Sequence, residues 1–322
     1  MREFAFELSL CARLEADHEG LVARQLGGGV ARPGGRIVDT VTVAPGPQFA
    51  DRAALTADGI PLAAIEADVG AGRFVPVREA FDGPPERRRE HTEAAVEAGF
   101  FEQRRRNGRL EVKQVARYPA DWFDTLVGIE NKPDLNRPGD LERQLRIDVG
   151  LGVFDRVVLA TADHVTGAQL NRLPDPVGVW RYNGDVIEVI REPAALSTTA
   201  YGVELDTVYA GRTDIDIVTP EAKRRARRRI AERAYGKGWR TYAFPTCEQI
   251  NVTERHGTTS LPWCRYFDRI VDPGAECGPD CEGYEQGSPP SVTLADERAR
   301  RSGWRSDPDG GRRRQSGLDY FE

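Results

Sequence analysis

Glu130, Asn131 and Lys132 end an apolar run, VGIENKPDL, that spans residues 127 to 135. A carboxylate and an ammonium two residues apart on a strand project from the same face. Such a pair suits a divalent cation held beside a water that attacks phosphate, with the ammonium steadying the developing negative charge. A polar turn follows, then a helical stretch carrying Gln144, then a second apolar strand from Arg156 to Thr161. Far upstream, RIVDTVTV sets Asp39 in an alternating strand. If Asp39 and Glu130 meet, their carboxylates can hold Mg²⁺ or Mn²⁺ with the Asn131 backbone carbonyl as a third oxygen. Gln144, one helix later, would position the water or Lys132.

The spacing Glu-x-Lys occurs twice more, in Glu111-Val112-Lys113 and Glu221-Ala222-Lys223. Glu221 lies in a helical pattern, where residues two apart diverge. Glu111 lies on the second strand of a hairpin, and no helix with a glutamine follows it. Glu130 alone has the full strand, turn, helix, strand succession. Glu66 and Asp124 are the carboxylates that compete with Asp39 for the partner role.

The elements that must position these residues form an α/β pattern. Residues 3 to 26 show apolar spacing of three and four, which predicts one helix with Cys11 on its apolar face, ended by Gly27-Gly28-Gly29. Arg36 to Val43 is the clearest strand of the pair that follows. Residues 84 to 118 read as a helix opened by prolines and a hairpin about the Asn107-Gly108 turn, an arrangement that resembles the end of a winged-helix module. Residues 119 to 191 then alternate strand and helix. An Arg-rich helix covers 221 to 235, and WRTYAF (239 to 244) suits a further strand. The expected organisation is a discontinuous core of residues 1–44 and 119–245, an insertion at 45–118, a Cys-rich lobe at 246–285 and a disordered tail at 286–322.

Composition narrows the classes of function. The chain has 322 residues, 39% of them hydrophobic, and a net charge of −6. It has only four lysines, so arginine supplies the other 41 of its 45 cations. An acidic, lysine-poor chain suggests a salt-adapted, halophilic source, and nucleic acid would have to bind through local basic patches. No long apolar run predicts a membrane span or signal peptide, so a cytoplasmic protein with no membrane partner is expected. Five cysteines, an odd number, argue against a disulfide framework. Four of them, Cys247, Cys264, Cys277 and Cys281, fall among prolines and glycines. Thiolates so placed suit zinc or an iron–sulfur cluster, and a four-ligand zinc site is one reading.

An Asp on one strand, Glu-x-Lys on the next and then a helix with Gln resembles the PD-(D/E)XK nuclease superfamily. The resemblance covers residues 1 to 44 and 119 to 191. It implies a restriction-endonuclease-like fold, a mixed sheet flanked by helices. It also implies a metal-dependent nuclease hydrolysing phosphodiester bonds of DNA, with Asp39, Glu130 and Lys132 as its site. Glu7 would correspond to the acidic residue that RecB-type exonucleases carry before the strands. The layout is closest to the RecB-type and CRISPR-adaptation iron–sulfur exonucleases, which use one cysteine before the core and three after it. Cys11 with Cys264, Cys277 and Cys281 is similar to that split, with Cys247 as an alternative ligand. The rival expectations are a non-catalytic nucleic-acid-binding or regulatory protein with a structural zinc or cluster, and a structural zinc-binding protein.

Overall fold

Helix α1 (Glu3–Asp17) is buried almost all round, so it carries two carboxylates, Glu7 and Glu15, into the interior. The structure, a computed structural model, describes residues 2–31, 34–136, 139–209 and 212–310. The predicted helix through residue 26 stops at Asp17, and Leu21–Gly27 is strand β1. At Gly20 a Cβ would stand 2.0 Å from the Val43 carbonyl oxygen, so glycine alone lets the chain turn in beside the next strand. Strand β1 is buried on both faces. Its apolar residues therefore do not alternate, and periodicity cannot tell it from a helix. Strand β2 (Ile37–Pro45) pairs antiparallel with β1 and carries Asp39.

The described residues of Gly46–Trp122 and Arg305–Glu322 form one unit, and those of Met1–Pro45 and Phe123–Trp304 form the other. The first of these contains α2 (Phe49–Ala53), α3 (Leu62–Ile65), β3 (Val75–Pro76) and α4 (Val77–Ala80). It continues with α5 (Pro85–Glu97), β4 (Phe101–Arg106) and β5 (Arg109–Gln114). Its sheet runs β3-β5-β4, over a core that includes Phe81, Ala95, Phe100, Phe101 and Val112. Asn107 (φ 48°) and Gly108 (φ 74°) are both left-handed, as a tight hairpin turn requires. The expected helix and hairpin are therefore present, and the inserted unit runs on to Trp122 rather than stopping at 118.

The main unit resumes with β6 (Phe123–Asn131), α6 (Leu141–Leu151), β7 (Arg156–Thr161), α7 (Gly167–Leu170), β8 (Gly178–Tyr182) and β9 (Ile187–Arg191). These strands extend β1 and β2 into a mixed six-stranded sheet of order β1-β2-β6-β7-β8-β9. Strand β6 is antiparallel to β2 and parallel to β7, β8 is parallel to β7, and β9 runs antiparallel to β8. The hairpin β10 (Gly202–Tyr209) and β11 (Arg212–Val218) and helix α8 (Pro220–Lys237) follow. Helix α8 packs over β1, β2 and β6. The chain then forms the small sheet β12 (Ile250–Arg255), β13 (Thr258–Cys264) and β14 (Arg269–Ile270), and the short helix α9 (Pro273–Glu276). Helix α10 (Leu294–Arg301) comes last. Among the described residues no helix is long and apolar enough to cross a membrane.

Two further expectations need correction. WRTYAF is not a strand: Trp239 and Tyr242 are buried in the core under α1, and the segment is held by side chains. The region from 286 onward is not disordered as far as residue 310. Helix α10 buries Glu297 and Arg298, and the Arg298 guanidinium donates to the carbonyls of Ala234 (3.3 Å), Tyr235 and Gly236 (3.0 Å) at the end of α8. The segment is anchored by charge on a helix C-terminus rather than by apolar burial, so low hydrophobicity misled. Residues 311–322 lie outside the described residues.

Arg240 on Glu15 is a deeply buried side-chain anchor of the main unit. Both oxygens of Glu15 are bonded, at 2.7 and 2.5 Å, and the Trp239 indole N–H adds a third bond at 3.0 Å. Each partner is 2% exposed. Truncating one member of such a pair leaves a buried charge unmet. Glu15→Ala should therefore lower the unfolding free energy by about 3–5 kcal/mol, measured by urea denaturation. A loss below about 1 kcal/mol would mean that solvent reaches the pair.

Candidate functional site

Asp39 and Glu130 are remote in sequence and adjacent in space. Thr40 pairs with Ile129 across the β2–β6 ladder. One step further along that register, Asp39 and Glu130 face each other on the same side of the sheet. Asp39 turns one carboxylate oxygen to the Asn131 backbone N–H at 2.9 Å. Gly128, two residues before Glu130, is needed here because the Phe154 ring lies over it. A Cβ at Gly128 would come within 2.9 Å of that ring.

Three further carboxyl and amide groups complete the cluster. On α1, Glu7 accepts from Arg24 at 3.2 Å and from the Gln25 amide at 3.0 Å. The same Gln25 nitrogen reaches Asp39 at 3.3 Å. Gln25 stands at φ 54°, a backbone state rare for a residue with a Cβ. That turn within β1 aims its side chain at both carboxylates, and it is a local strain of the kind found at functional sites. On α6, Asp148 is buried and takes the Arg36 guanidinium bidentately, at 3.1 and 2.6 Å. The same Arg36 donates to Glu130 at 2.7 Å.

The electrostatics follow from burial. Glu7, Glu130 and Asp148 are buried and Asp39 is half-buried, and among the described residues Arg24 and Arg36 are the cations bonded to them. Fully ionised, the cluster would carry more negative than positive charge in a poorly solvated place. All four acids are pushed above their ordinary range, by desolvation first in each case. Glu130 is pushed up to about 7, by burial and then by the Asp39 charge, against the pull of Arg36. Burial likewise pushes the Cys11 thiol far up.

The other expected residues are placed as follows. Lys132 continues the line of β6, its backbone N–H bonded to the Ala160 carbonyl at 2.8 Å, and its side chain is half-buried. Among the described residues its ammonium forms no ion pair. Gln144 is half-exposed and lines a groove of about 420 Å³ with Arg36, Arg143 and Ile147. Asp148, one helical turn beyond Gln144, is the residue of α6 that enters the cluster. Asn131 donates its side-chain amide to Thr40 at 3.0 Å, and its buried side-chain oxygen has no partner among the described residues. Cys11 is buried against Thr40, with Sγ 3.7 Å from Oγ1, and does not line the cavity shared by Cys247, Cys264, Cys277 and Cys281. Among the competing carboxylates, Glu66 belongs to the inserted unit and the exposed Asp124 lies at the far end of β6.

The residues fit a hard cation in chemistry more closely than in closure. Oxygen donors of Asp39 and Glu130 and the orphaned buried oxygen of Asn131 suit Mg²⁺, which keeps several waters. Among the described residues, however, no three His, Cys, Asp or Glu side chains stand ready around one ion. Arg36, Arg24, Gln25 and Asp148 were missed by sequence reasoning. The Gln144–Asp148 spacing of one helical turn was the signal available for Asp148. Nothing local marks Arg36.

The chain belongs to DUF5787, a family of unknown function, whose model matches residues 21–286. That span holds β1 through the last cysteine and leaves α1 outside it. No curated protein and no solved structure matches the chain.

Glu130 binds its proton more tightly in the fold than the ordinary carboxyl value of 4.5, up to about 7. The folded state therefore holds more protons than the unfolded chain in that window, and stability falls as pH rises through it. In metal-free buffer, wild type should lose about 3 kcal/mol between about pH 4.5 and pH 7.5 relative to Glu130→Gln. Added Mg²⁺ should recover part of that loss for wild type alone. Parallel urea-denaturation profiles for the two proteins would show that Glu130 keeps an ordinary acidity.

Proposed function

We propose that the protein is a metal-dependent nuclease, hydrolysing phosphodiester bonds of DNA with a site built on Asp39, Glu130 and Lys132. The observation that carries this reading is the meeting of Asp39 and Glu130 within a buried carboxylate cluster whose charge its bonded arginines do not balance. The fold supports it. A helix with Glu7 precedes the strands, Asp39 and Glu130-x-Lys132 lie on neighbouring strands, and a helix with Gln144 leads into a parallel strand. That is the succession the PD-(D/E)XK resemblance implies, and we take the six-stranded sheet as its restriction-endonuclease-like core.

A bound Mg²⁺ or Mn²⁺ would supply Lewis acidity toward a phosphate oxygen and lower the pKa of a bound water. Asp39 and Glu130 would hold it, with Asn131 beside them. Glu130, whose basicity burial raises, can accept a proton from water near neutral pH. Lys132, on the face that Glu130 occupies, would offer its ammonium to the charge that develops on phosphate. Glu7 and Gln25 orient Asp39, and Asp148 orients Arg36.

DNA as the partner is supported in the inserted unit. The tip of its β4–β5 hairpin, Arg104-Arg105-Arg106-Asn107-Gly108-Arg109, is exposed. Arg104 is engaged by Glu111 at 2.7 Å, whereas Arg105, Arg106 and Arg109 have no ion pair among the described residues. We read the helix and hairpin as a winged-helix-like module, in which a basic wing can follow phosphates.

A second reading has its own observation. Arg36 already bridges Glu130 and Asp148, which makes the cluster a closed ion-pair network and the protein a non-catalytic nucleic-acid binder or regulator. Incubation with single- and double-stranded DNA in Mg²⁺, Mn²⁺ or chelator separates the two. The nuclease reading expects metal-dependent cleavage, lowered about 100-fold or more by Asp39→Asn, Glu130→Ala or Lys132→Ala with circular dichroism unchanged. A mobility shift with no products in either metal would favour the binder.

A further inference from the structure

Cys247, Cys264, Cys277 and Cys281 come from three stretches of chain and line one cavity. Cys247 sits in the turn before β12, where the Ile250 N–H bonds back to its carbonyl at 3.2 Å. Cys264 ends β13, Cys277 follows α9, and Cys281 closes a turn through its N–H to the Gly278 carbonyl at 3.0 Å. The cavity measures about 10 Å³, the room that one water-sized guest needs.

On the cysteine side the buried cluster is small: Cys247, Ile250, Cys264 and Val271, with Phe244, Cys277 and Tyr284 against it. The sheet is held from its other side by Leu261 and Ile270 in the main core with α1, so the cysteine side has little apolar filling of its own. No disulfide is present, since all five cysteines are free. The thiols also crowd one another. Burial first, and then Cys264, Cys281 and Cys247, push Cys277 up to about 11. The Arg269 guanidinium is near enough to Cys264 and Cys277 for both to favour its charge.

We propose that Cys247, Cys264, Cys277 and Cys281 bind one zinc ion as a structural four-thiolate site, independently of the nuclease reading. On binding, the four thiols release their protons to solvent, and the dication leaves two net negative charges, which Arg269 offsets in part. Zinc asks for four sulfurs at about 2.3 Å. As they stand, no three of these side chains gather round one ion among the described residues, so binding requires the thiols to draw together, and Cys277 and Cys281 are the two that are half-exposed. As it stands the cavity has room for a single ion and not for an iron–sulfur cluster, so zinc is the metal proposed. The ligand set also differs from the one that resemblance implies, because Cys11 lies elsewhere, on α1 against Thr40, and Cys247 takes its place.

The test is the metal content of the full chain purified without chelator. One zinc per chain, with no iron or acid-labile sulfide, is expected. Replacement by Co²⁺ should give sulfur-to-metal charge-transfer absorption and tetrahedral d–d bands. Cys277→Ser and Cys281→Ser should each weaken zinc binding at least tenfold, while Cys11→Ser keeps one zinc. If those variants fail to fold, alkylation of the wild type decides: Co²⁺ should protect these four thiols, identified by mass spectrometry, and no others. Wild type that holds no zinc and takes up cobalt without thiolate bands would overturn the proposal. So would iron with sulfide, release of the metal by Cys11→Ser, or protection of a different set of thiols.

Discussion

A carboxylate removed from water must be neutralised, hydrogen-bonded or paired, because the uncompensated cost is several kcal/mol per ion. The main unit gathers three such groups, Glu7, Glu130 and Asp148, with the half-buried Asp39 beside them at one end of its sheet, and its geometry there follows from how they are met. Arg36 ties α6 to the sheet through Asp148 and Glu130. Gln25 ties α1 to the sheet through Glu7 and Asp39. The β2–β6 register underlies both, since a slip of one residue would send Glu130 to the opposite face and leave Arg36 without it. Like charges placed across a ladder weaken it. The antiparallel β1 and parallel β7 on either side hold that ladder in register.

The parts of this arrangement visible in the sequence are those encoded by short-range pattern. Glu130 and Lys132 could be set on one face from strand periodicity alone, and the strand, helix, strand run that follows could be read in order. The Asn107-Gly108 hairpin was legible because left-handed turns select those residues. Convergence was not legible. Arg36 lies just before β2 and has no local mark, and its partners come from residues far along the chain. Asp148 shares its helix with Gln144, and no local pattern distinguishes which of the two faces the cluster. The error at Leu21–Gly27 has a different cause, since a strand buried on both faces loses the alternation that would identify it.

Arginine explains the remaining misreadings. A chain with four lysines among 45 cations builds its interior joints from guanidinium, which is planar, multidentate and more weakly hydrated than ammonium. Arg240 secures the segment that had looked like a strand. Arg298 secures the segment that had looked disordered, through the open carbonyls of α8. Counting apolar residues misses both joints, because their affinity lies in directed hydrogen bonds to carboxylates and helix ends. The inference extends to Arg269, which stands between Glu276 and two thiols and joins α9 to β14.

The relation between Arg36 and Glu130 is asymmetric, and that bears on how a cation could enter. Asp148 holds Arg36 by two bonds and Glu130 holds it by one, at 2.7 Å. A bidentate guanidinium–carboxylate contact is the stronger and the more directional of the two. Deprotonation of Glu130 near neutral pH would strengthen its hold on Arg36 and, equally, its attraction for a dication beside Asp39. A dication carries twice the charge and is shared with Asp39, which Arg36 does not bond. It could draw Glu130 away at the cost of one hydrogen bond while Arg36 stays seated on Asp148. On the proposed nuclease reading, Arg36 would keep the buried acids compatible with folding before a metal binds, and the Asp148 contact would fix where the guanidinium rests afterwards.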